Sequence, residues 1–384
     1  MSGAADPAVA TDLDRRFMAA AIRLGRRHLG RTGPNPSVGA ICVVDGPDGP
    51  IVVGRGVTAY GGRPHAEPQA LTQAGDRARG STLYVTLEPC SHWGKSPPCA
   101  DAIVAAGVAR VVVARDDPDP RVAGRGYARL AEAGIGVVRG VLAAEAWEGL
   151  SGFLARVSGC RPEVLLKLAI SADGMIGRHG VANFPITGPA ARARAQLMRM
   201  EADAIAVGIG TAALDDPELT VRLPGLAATS PRRIVFDRAA RLSPASRLVA
   251  SAATVPVSMV TALDAPAEAV AALAAQGVSM LPVPVDGGGR LALAPALGRL
   301  EGEGINTLMV EGGAELAESF LVAGLVDRLA LFRSPVVVGQ GGIAAPPSLA
   351  GVLAPAAGRF HRTSVERWGD DLLEIWQALP RRST

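Results

Sequence analysis

Short apolar runs of strand length alternate with helical segments along almost the whole chain. Residues 82–87, 108–114 and 164–170 are such runs, and segments 13–29 and 189–200 show helical spacing of their apolar residues. A strand buried on both faces is apolar throughout, and helices between such strands cover both faces of a mostly parallel sheet. The alternation therefore predicts the α/β class.

Two domains are expected from the length and from one break in this alternation. The chain has 384 residues, and a single hydrophobic core rarely grows beyond roughly 250–300 residues. Arg161 and Pro162 interrupt the pattern, and a second series of strands begins after them. We expect an N-terminal domain over residues 1–150 and a C-terminal domain over residues 151–384.

The composition argues against nucleic acid or a membrane as a partner. The chain has 39 Lys and Arg against 36 Asp and Glu, with 4% aromatic residues, whereas nucleic-acid binders cluster basic residues and offer aromatic platforms for bases. It has no run of about 18 apolar residues to span a bilayer. The first residues lack the layout of a signal peptide, and four cysteines make no disulfide framework. We expect a cytoplasmic location and a small-molecule substrate.

A histidine, a glutamate and two cysteines form the most specific pattern in the sequence. One residue separates His65 from Glu67, Cys90 follows a Glu-Pro pair, and Cys99 follows two prolines. One imidazole and two thiolates bind zinc and leave the fourth position for water, whose pKa falls to about 7. Glu67 would take a proton from that water and pass it to a leaving amine. The pattern predicts a zinc-hydroxide deaminase with His65, Cys90 and Cys99 as metal ligands.

The cysteine spacing departs from the usual zinc-deaminase signature. That signature is His-x-Glu followed by Pro-Cys-x-x-Cys, and here eight residues, 91–98, separate the two cysteines. Lys95 in this longer loop is placed to meet a phosphate or a ring oxygen. Two alternatives stay open: a closed structural zinc site with His92 as fourth ligand, and buried cysteines without any metal.

Five segments of the N-terminal half add further specificity. They are residues 32–39 (TGPNPSVG), 62–67 (GRPHAE), 84–92 (YVTLEPCSH), 95–99 (KSPPC) and 116–120 (DDPDP). Together they resemble the bifunctional deaminase/reductase family of riboflavin biosynthesis. The resemblance implies a cytidine-deaminase-like three-layer domain and, as substrate, a diaminopyrimidinone carrying a ribosylamino phosphate, whose 2-amino group leaves as ammonia. It also implies that Asn35 holds the pyrimidine edge, with Lys95 and Asp101 in the same pocket.

The C-terminal half has no Gly-x-Gly-x-x-Gly between a strand and a helix, so it lacks a Rossmann fingerprint. Its specific segments are residues 166–174 (LKLAISADG), 186–188 (ITG), 215–222 (DDPELTVR) and 310–314 (VEGGA). They resemble the second half of the same family, a dihydrofolate-reductase-like domain. This resemblance implies that NADPH reduces the opened ribose of the deaminated product to a ribityl chain. It further implies a homo-oligomer formed through the reductase domain.

The reductase residues that the resemblance implies fall into two sets. A strand ends at Glu311 and a helix begins directly after it, so the free backbone N–H groups at the helix start are suited to a dinucleotide phosphate. Arginine side chains are suited to the sugar phosphate, because a guanidinium donates two parallel hydrogen bonds to phosphate oxygens. The NADPH positions are Ala169, Asn183, Pro185, Thr211, Gly313, Ala314, Glu315, Leu316, Ala317, Glu318 and Ser319. The substrate positions are Arg199 and Arg222 on the phosphate, Lys167, Asp215 and Glu311 along the ribose, and Leu219.

The chain departs from the family pattern at residues 183–185 (NFP), where relatives have Ser-x-Trp, and at Ala172, where they have Leu. These departures leave an alternative in which the protein is a deaminase only, or a paralogue whose reductase half is altered or only binds a ligand. A deaminase acting on tRNA or another nucleotide is a further alternative, against which the long cysteine loop and the small net charge of +3 argue.

Overall fold

A computed structural model describes residues 10–354 and 358–379 of the chain. The chain divides into two compact units, Met1–Cys160 and Arg161–Thr384, each with its own sheet and core. The outer ends of both predicted domains, and the first nine residues with their expected lack of a signal peptide, lie outside the described ranges. Within those ranges, no helix is both long and apolar enough to cross a membrane.

The N-terminal unit is a five-stranded sheet between two layers of helices. Its strands are β1 (Gly39–Gly46), β2 (Gly49–Val57), β3 (Thr82–Leu87), β4 (Arg110–Arg115) and β5 (Gly136–Val138). Its helices are α1 (Asp12–Gly25), α2 (Ala66–Ala74), α3 (Cys99–Ala106), α4 (Arg125–Glu132) and α5 (Ala143–Gly159).

The sheet order in this unit is β2-β1-β3-β4-β5. Strand β1 is antiparallel to both of its neighbours, whereas β3, β4 and β5 are parallel. Helices α1 and α5 pack together on one face, and α2, α3 and α4 form a continuous layer on the other. This arrangement confirms the three-layer fold, although the antiparallel β1 makes the sheet mixed instead of mostly parallel.

The boundary between the units falls at residue 160, later than the predicted residue 150. Helix α5 is continuous across the predicted boundary, and its Leu150, Phe153 and Leu154 are buried in the N-terminal core. The helix ends at Gly159, and its C-cap residue Cys160 has a left-handed φ of 51°. The seam therefore coincides with the Arg161-Pro162 break in the sequence.

Helix α2 lies very close to strand β2. A Cβ atom on Gly54 would come within 2.0 Å of the Ala70 carbonyl oxygen, and one on Gly56 within 2.0 Å of the Ala66 carbonyl oxygen. Side chains do not tolerate such distances, so only glycine lets the two backbones meet here. The contact fixes the height of α2, including its first turn, above the sheet.

The C-terminal unit contains eleven strands and seven α-helices within the described residues. The strands are β6 (Glu163–Ile170), β7 (Met175–Arg178), β8 (Ala204–Gly208), β9 (Arg232–Phe236), β10 (Val257–Ala262), β11 (Ser279–Val283), β12 (Thr307–Val310), β13 (Arg328–Arg333), β14 (Gly342–Ala344), β15 (Phe360–Trp368) and β16 (Asp371–Ala378). The helices are α6 (Pro189–Glu201), α7 (Ile209–Asp215), α8 (Arg247–Ala250), α9 (Ala267–Ala274), α10 (Leu293–Gly302), α11 (Ala314–Val322) and α12 (Ser348–Leu353).

Nine of these strands form one sheet, of order β11-β10-β9-β8-β12-β6-β13-β16-β15, and β7 pairs with β14 separately. The strands from β11 to β13 run parallel, and β16 and β15 complete the sheet as antiparallel strands. Strand β6 buries Leu166 and Leu168 in one cluster and Leu165 in another, as a strand covered on both faces should. The carboxyl ends of β6, β8, β9 and β12 share one edge, which is where ligands bind in sheets of this type.

Gly56→Ala is expected to destabilise the N-terminal unit by roughly 1–3 kcal/mol, because the added methyl group would collide with the Ala66 carbonyl. Denaturant unfolding followed by circular dichroism measures the change. Gly159→Ala is a matched control, since a Cβ there meets nothing within 4 Å and alanine favours a helix. Equal stability of the two variants would contradict the close contact between α2 and β2.

Candidate active sites

Three potential metal ligands come together in the N-terminal unit. His65 immediately precedes α2, Cys90 follows β3, and Cys99 is the first residue of α3. The Nδ1 atom of His65 lies 3.3 Å from Cys99 Sγ and 3.8 Å from Cys90 Sγ. The three ligand atoms all lie within 4.8 Å of one another. The structure thus brings the predicted ligands together, and we refer to these three residues as the metal cluster.

The two sulfur atoms of the metal cluster differ in their tendency to ionise. A hydrogen bond from Cys99 lowers the pKa of the Cys90 thiol to about 4, and the same bond, together with burial, raises the pKa of Cys99. The backbone N–H of Cys99 also donates to Cys90 Sγ at 3.3 Å. A divalent cation would stabilise both sulfurs as thiolates. One nitrogen and two sulfur donors are a ligand set typical of catalytic zinc, which keeps its fourth position open.

Glu67 is a buried acid beside the metal cluster. It is the second residue of α2 and is 4% exposed. Burial raises the pKa of its carboxyl to about 7, and the charge of Cys90 adds to this shift. Glu67 does not belong to the group of ligand atoms. Its carboxyl therefore lies beside the metal cluster without being one of the grouped ligand atoms.

His92 does not complete a closed metal site. The ligand group found among the described residues contains His65, Cys90 and Cys99. The Nδ1 atom of His92 is buried, and no hydrogen-bond partner for it is found in the part of the chain that the structure describes. The arrangement favours an open catalytic site over the structural alternative.

The turn that carries Asn35 is locked against the loop before His65. The Asn35 side-chain amide donates to the Gly62 carbonyl at 2.8 Å, and its backbone N–H donates to the Thr32 carbonyl at 3.0 Å. Gly62 has a φ of +85°, and a Cβ on it would lie 2.6 Å from Asn35 Nδ2. Glycine is required for this approach, which holds Asn35 against the segment leading into the metal cluster.

Lys95 is exposed on the loop that joins the two cysteines. The guanidinium of Arg63 hydrogen-bonds to Ser96 Oγ in the same loop. A Cβ on Gly94 would lie 3.3 Å from Arg63 Nη2, so the loop and Arg63 are in close contact. Arg63 therefore ties the loop carrying Lys95 to the segment that leads into His65.

Asp101, which was expected in one pocket with Asn35 and Lys95, forms an ion pair between two helices. It lies on α3, where its carboxylate accepts a hydrogen bond from Arg129 Nε of α4 at 2.8 Å. Since α3 and α4 are neighbours in the helical layer, this partly exposed ion pair joins their surfaces. We therefore omit Asp101 from the proposed substrate site.

Two buried acids, Glu88 and Asp117, lie near the metal cluster, and the sequence analysis assigned no role to either. Glu88 accepts the backbone N–H groups of Asp117, Gly124 and Gly126 at 3.1–3.4 Å. Burial raises the pKa of the Asp117 carboxyl to about 6, and neighbouring carboxylates add to this shift. Glu88 thus holds the loop after β4 beside the site. The signal that could have revealed this loop is the run of acids and prolines at residues 116–120.

A large cavity lies at the carboxyl ends of the parallel strands in the C-terminal unit. Its volume is about 1550 Å³, above the roughly 300–1,000 Å³ that single small ligands occupy. It therefore has room for two ligands. Of the predicted reductase residues it is lined by Lys167, Ala169, Asn183, Pro185, Arg199, Thr211, Asp215, Arg222, Glu311, Gly313, Ala314, Glu315, Leu316, Glu318 and Ser319.

Two predicted residues, Leu219 and Ala317, lie in the hydrophobic core instead of the cavity wall. Ala317 is fully buried and packs with the core residues around Phe320. Leu219 is buried in a second cluster with Ile205 and Val207 of β8. Leu316 and Glu318, on either side of Ala317, line the cavity, whereas the side chains of Ala317 and Leu219 are buried.

Arg199, which was expected to hold the sugar phosphate, forms a two-point ion pair with the carboxylate of Glu311. Its Nε and Nη2 atoms donate to the two carboxylate oxygens of Glu311 at 2.6 and 2.9 Å, and Nη1 donates to the Thr220 carbonyl at 3.1 Å. Burial alone would raise the pKa of Glu311, but Arg199 overrides this effect and the pKa falls to about 2. Arg199 thus orients Glu311 and keeps it ionised, whereas Arg222 presents an exposed side chain to the cavity.

Helix α11 begins at the cavity wall. Gly313 is its N-cap, and the Gly313 N–H donates to Thr211 Oγ1 at 3.1 Å. A Cβ on Gly313 would also lie 3.1 Å from Thr211 Oγ1. The first N–H groups of any helix have no partner within it, and they bind anions readily. This end of α11 is suited to a phosphate group.

The segment that departs from the family pattern lies at the same cavity. The Asn183 N–H donates to Asp215 Oδ1 at 2.7 Å, and the Asn183 side-chain amide donates to the Asp215 carbonyl at 3.1 Å. Pro185 also lines the cavity. Asn183 and Pro185, although they differ from the family pattern, therefore still form part of the cavity wall.

Family models match both units. Residues 11–115 match the cytidine and deoxycytidylate deaminase zinc-binding region, and residues 162–373 match the RibD C-terminal domain. The riboflavin biosynthesis protein RibD of Escherichia coli is 39% identical, with 85% of this chain and 89% of that protein covered. The Aquifex aeolicus protein of the same name is 38% identical, with 86% and 89% covered.

Solved structures agree with these matches. RibD of Acinetobacter baumannii has a TM-score of 0.81 at 35% identity, covering 95% of this chain and 99% of that chain. A Thermotoga maritima protein described as a diaminohydroxyphosphoribosylaminopyrimidine deaminase/5-amino-6-(5-phosphoribosylamino)uracil reductase has a TM-score of 0.80 at 32% identity, covering 96% and 99%.

A zinc-binding deaminase domain followed by a reductase domain defines a bifunctional enzyme with deaminase and reductase activities. Both halves of the predicted fold are thereby confirmed. The chain belongs to the RibD family of riboflavin biosynthesis proteins.

We expect the purified protein to contain about one zinc ion per chain, and Cys99→Ser to lose most of it because the metal would keep only two protein ligands. Elemental analysis by plasma mass spectrometry measures the content. Cys160→Ser is the control, since Cys160 is exposed and lies outside the metal cluster. Full zinc content in the Cys99 variant would contradict the assignment.

Proposed function

We propose that the enzyme deaminates 2,5-diamino-6-ribosylamino-4(3H)-pyrimidinone 5′-phosphate and then reduces the ribosyl side chain of the product to ribityl with NADPH. The observation that carries this proposal is the metal cluster with Glu67 beside it, in one chain with a cavity that has room for a dinucleotide and a sugar phosphate. The description of the Thermotoga maritima relative, which names a deaminase and a reductase of such compounds, supports it.

In the deaminase unit, Glu67 carries the proton. Zinc in the metal cluster would supply a water of lowered pKa. The Glu67 carboxyl is buried beside the metal cluster, which places it to move a proton between the water and the leaving group. It takes the proton of the attacking water and delivers it to the departing amino group, which leaves as ammonia. Asn35 is proposed to hold the pyrimidine edge and Lys95 the phosphate.

In the reductase unit, the N-terminal turn of α11 is proposed to bind the cofactor phosphates. NADPH would supply the hydride when bound. Its remaining contacts would come from Ala169, Asn183, Pro185 and Thr211, which line the same cavity as residues 313–316, 318 and 319. A dinucleotide bound at these positions would lie along the carboxyl edge of the parallel strands.

The substrate of the reductase is proposed to lie against Glu311. This carboxylate is held ionised by Arg199, so it accepts hydrogen bonds from ribose hydroxyl groups. Lys167 and Asp215 line the cavity with it, and the exposed Arg222 is proposed to bind the phosphate. Arg199 supports this site through Glu311.

We further propose a cytoplasmic homo-oligomer. The metal cluster needs both cysteines as thiolates, which a reducing compartment preserves. Strand β15 is an edge of the nine-stranded sheet and exposes Val365. An edge strand with an apolar side chain is suited to pairing with a second copy of the chain.

Glu67→Gln is expected to lower the rate of ammonia release by about 10²- to 10⁴-fold, because the proton carrier is lost. NADPH oxidation with the deaminated substrate should keep its wild-type rate, since Glu67 belongs to the other unit. Separate assays of ammonia and of absorbance at the NADPH band measure the two steps. Parallel loss of both activities would argue against independent sites.

Gly313→Val is expected to weaken NADPH binding at least roughly tenfold, equivalent to one lost hydrogen bond to a charged group. The new side chain would collide with Thr211 Oγ1 and cover the first turn of α11. Fluorescence titration with NADPH measures the affinity, and ammonia release should be unchanged. Gly298→Ala in α10, where a Cβ meets nothing within 4 Å, is the control. Unaltered NADPH affinity in the valine variant would place the cofactor elsewhere.

A further inference from the structure

The loop after α7, residues 216–221, separates two residues of the proposed reductase substrate site. Asp215 comes directly before the loop and Arg222 directly after it, and both line the cavity. Within the loop, Asp216 and Leu219 have left-handed φ angles of 40° and 53°. Residues other than glycine keep such a conformation only where their surroundings impose it. The path of this loop is therefore fixed by contacts with other parts of the unit.

A buried arginine, Arg233 of β9, holds the middle of the loop. Its side chain is fully buried. Its Nη1 atom donates to the Glu218 carbonyl at 3.1 Å and to Ser251 Oγ at 2.7 Å. Its Nη2 atom donates to the carbonyls of Leu248 and Ser251 at 3.3 and 3.1 Å, and to the Val255 carbonyl. One guanidinium thus joins the loop to the end of α8 and to the segment that leads into β10.

The positive charge of Arg233 is not explained by an ion pair. Burial lowers the pKa of its guanidinium to about 10, so it is still a cation at neutral pH. The carboxylate of Glu218 pairs with Arg247 instead, and in the part of the chain that the structure describes Arg233 Nε has no hydrogen-bond partner. A buried charge without a charged partner costs stability, and an apolar side chain would fill the space at lower cost. What Arg233 adds is the position of the carbonyl groups that it binds.

The Glu218 carbonyl is the point of the loop at which such positioning matters most. Glu218 lies midway between Asp215 and Arg222 in sequence. On its far side the loop is held by Arg199, which accepts no freedom at Thr220 because its Nη1 donates to that carbonyl at 3.1 Å. A shift of Glu218 would therefore be passed to the segment that leads back to Asp215 and would change its separation from Arg222.

We propose that Arg233 is a positioning residue of the reductase, which fixes the Glu218 carbonyl and thereby sets the separation of Asp215 and Arg222 for the sugar-phosphate substrate. This inference rests on the proposed function, which places the ribose against Asp215 and the phosphate against Arg222. Because Arg233 is fully buried, it acts through the loop and not by contact with the substrate. A change in substrate binding that is equal in the ground state and the transition state raises KM and leaves kcat unchanged.

The test is Arg233→Met in the full-length enzyme, since methionine is apolar and long enough to fill much of the same space without binding the Glu218 carbonyl. We expect KM for the deaminated substrate to rise roughly tenfold, equivalent to one lost hydrogen bond to a charged group. Both kcat and the NADPH affinity from fluorescence titration should change less than threefold. Arg233→Lys keeps the charge but not the two-pronged donor, so its KM should lie between those of the wild type and the methionine variant.

Ser251→Ala is the matched control, because it removes one partner of Arg233 beside α8 and leaves the bond to the Glu218 carbonyl. Denaturant unfolding should show a loss of stability in this variant, while KM stays at the wild-type value.

A folded Arg233→Met enzyme with wild-type KM would overturn the inference. A rise of KM in Ser251→Ala that follows its loss of stability would also overturn it, since Arg233 would then only support the fold. If the methionine variant does not fold, a wild-type KM in Arg233→Lys overturns the inference and a raised KM with unchanged NADPH affinity supports it. A wild-type enzyme that does not oxidise NADPH with this substrate would overturn the proposed function instead.

Discussion

The backbone contact between α2 and β2 determines the geometry of the deaminase half. Glycines at positions 54 and 56 let the helix rest directly on the strand, which fixes the first turn that bears His65 and Glu67. The two cysteines arrive from a different part of the chain, at the end of β3 and the start of α3. Ligands from such separate segments meet within a few ångströms only because every segment is positioned against the same sheet.

The Arg199–Glu311 pair has a comparable role in the reductase half. It joins α6 to the end of β12, and the third bond of Arg199 reaches the carbonyl of Thr220 in the loop after α7. A buried ion pair contributes little net stability once desolvation is counted. Its effect here is orientation, since Glu311 is held ionised and aimed at the cavity. The pair thus links the loop after α7 to the strand edge where the cofactor is proposed to lie.

The sequence predicted the buried strands and the metal cluster well, because both leave local signals. Strand β3 has the predicted bounds, and the histidine and two cysteines that the spacing singled out have their ligand atoms within 4.8 Å of one another. The C-terminal hairpin of β15 and β16 was missed, since β15 is largely exposed and has no continuous apolar run.

Contacts between distant residues were not accessible from the sequence. The carboxylate that Arg199 binds is 112 positions away, and the arginine that Asp101 binds becomes its neighbour only when α3 packs on α4. An arginine or aspartate in a helix gives no indication of such a partner. For the same reason the antiparallel pairing of β1 with β3 could not be read from its apolar run, because direction depends on which strand it pairs with.

The course of α5 also has a practical consequence for how the gene is divided. A fragment that stops at codon 150 would cut this helix and remove Phe153 and Leu154, whose side chains fill the core of the first unit. Their removal would leave apolar surface of the sheet in water and favour aggregation. A fragment that stops at codon 160 keeps the whole helix, and translation of the second half can begin at Arg161, immediately before its first strand.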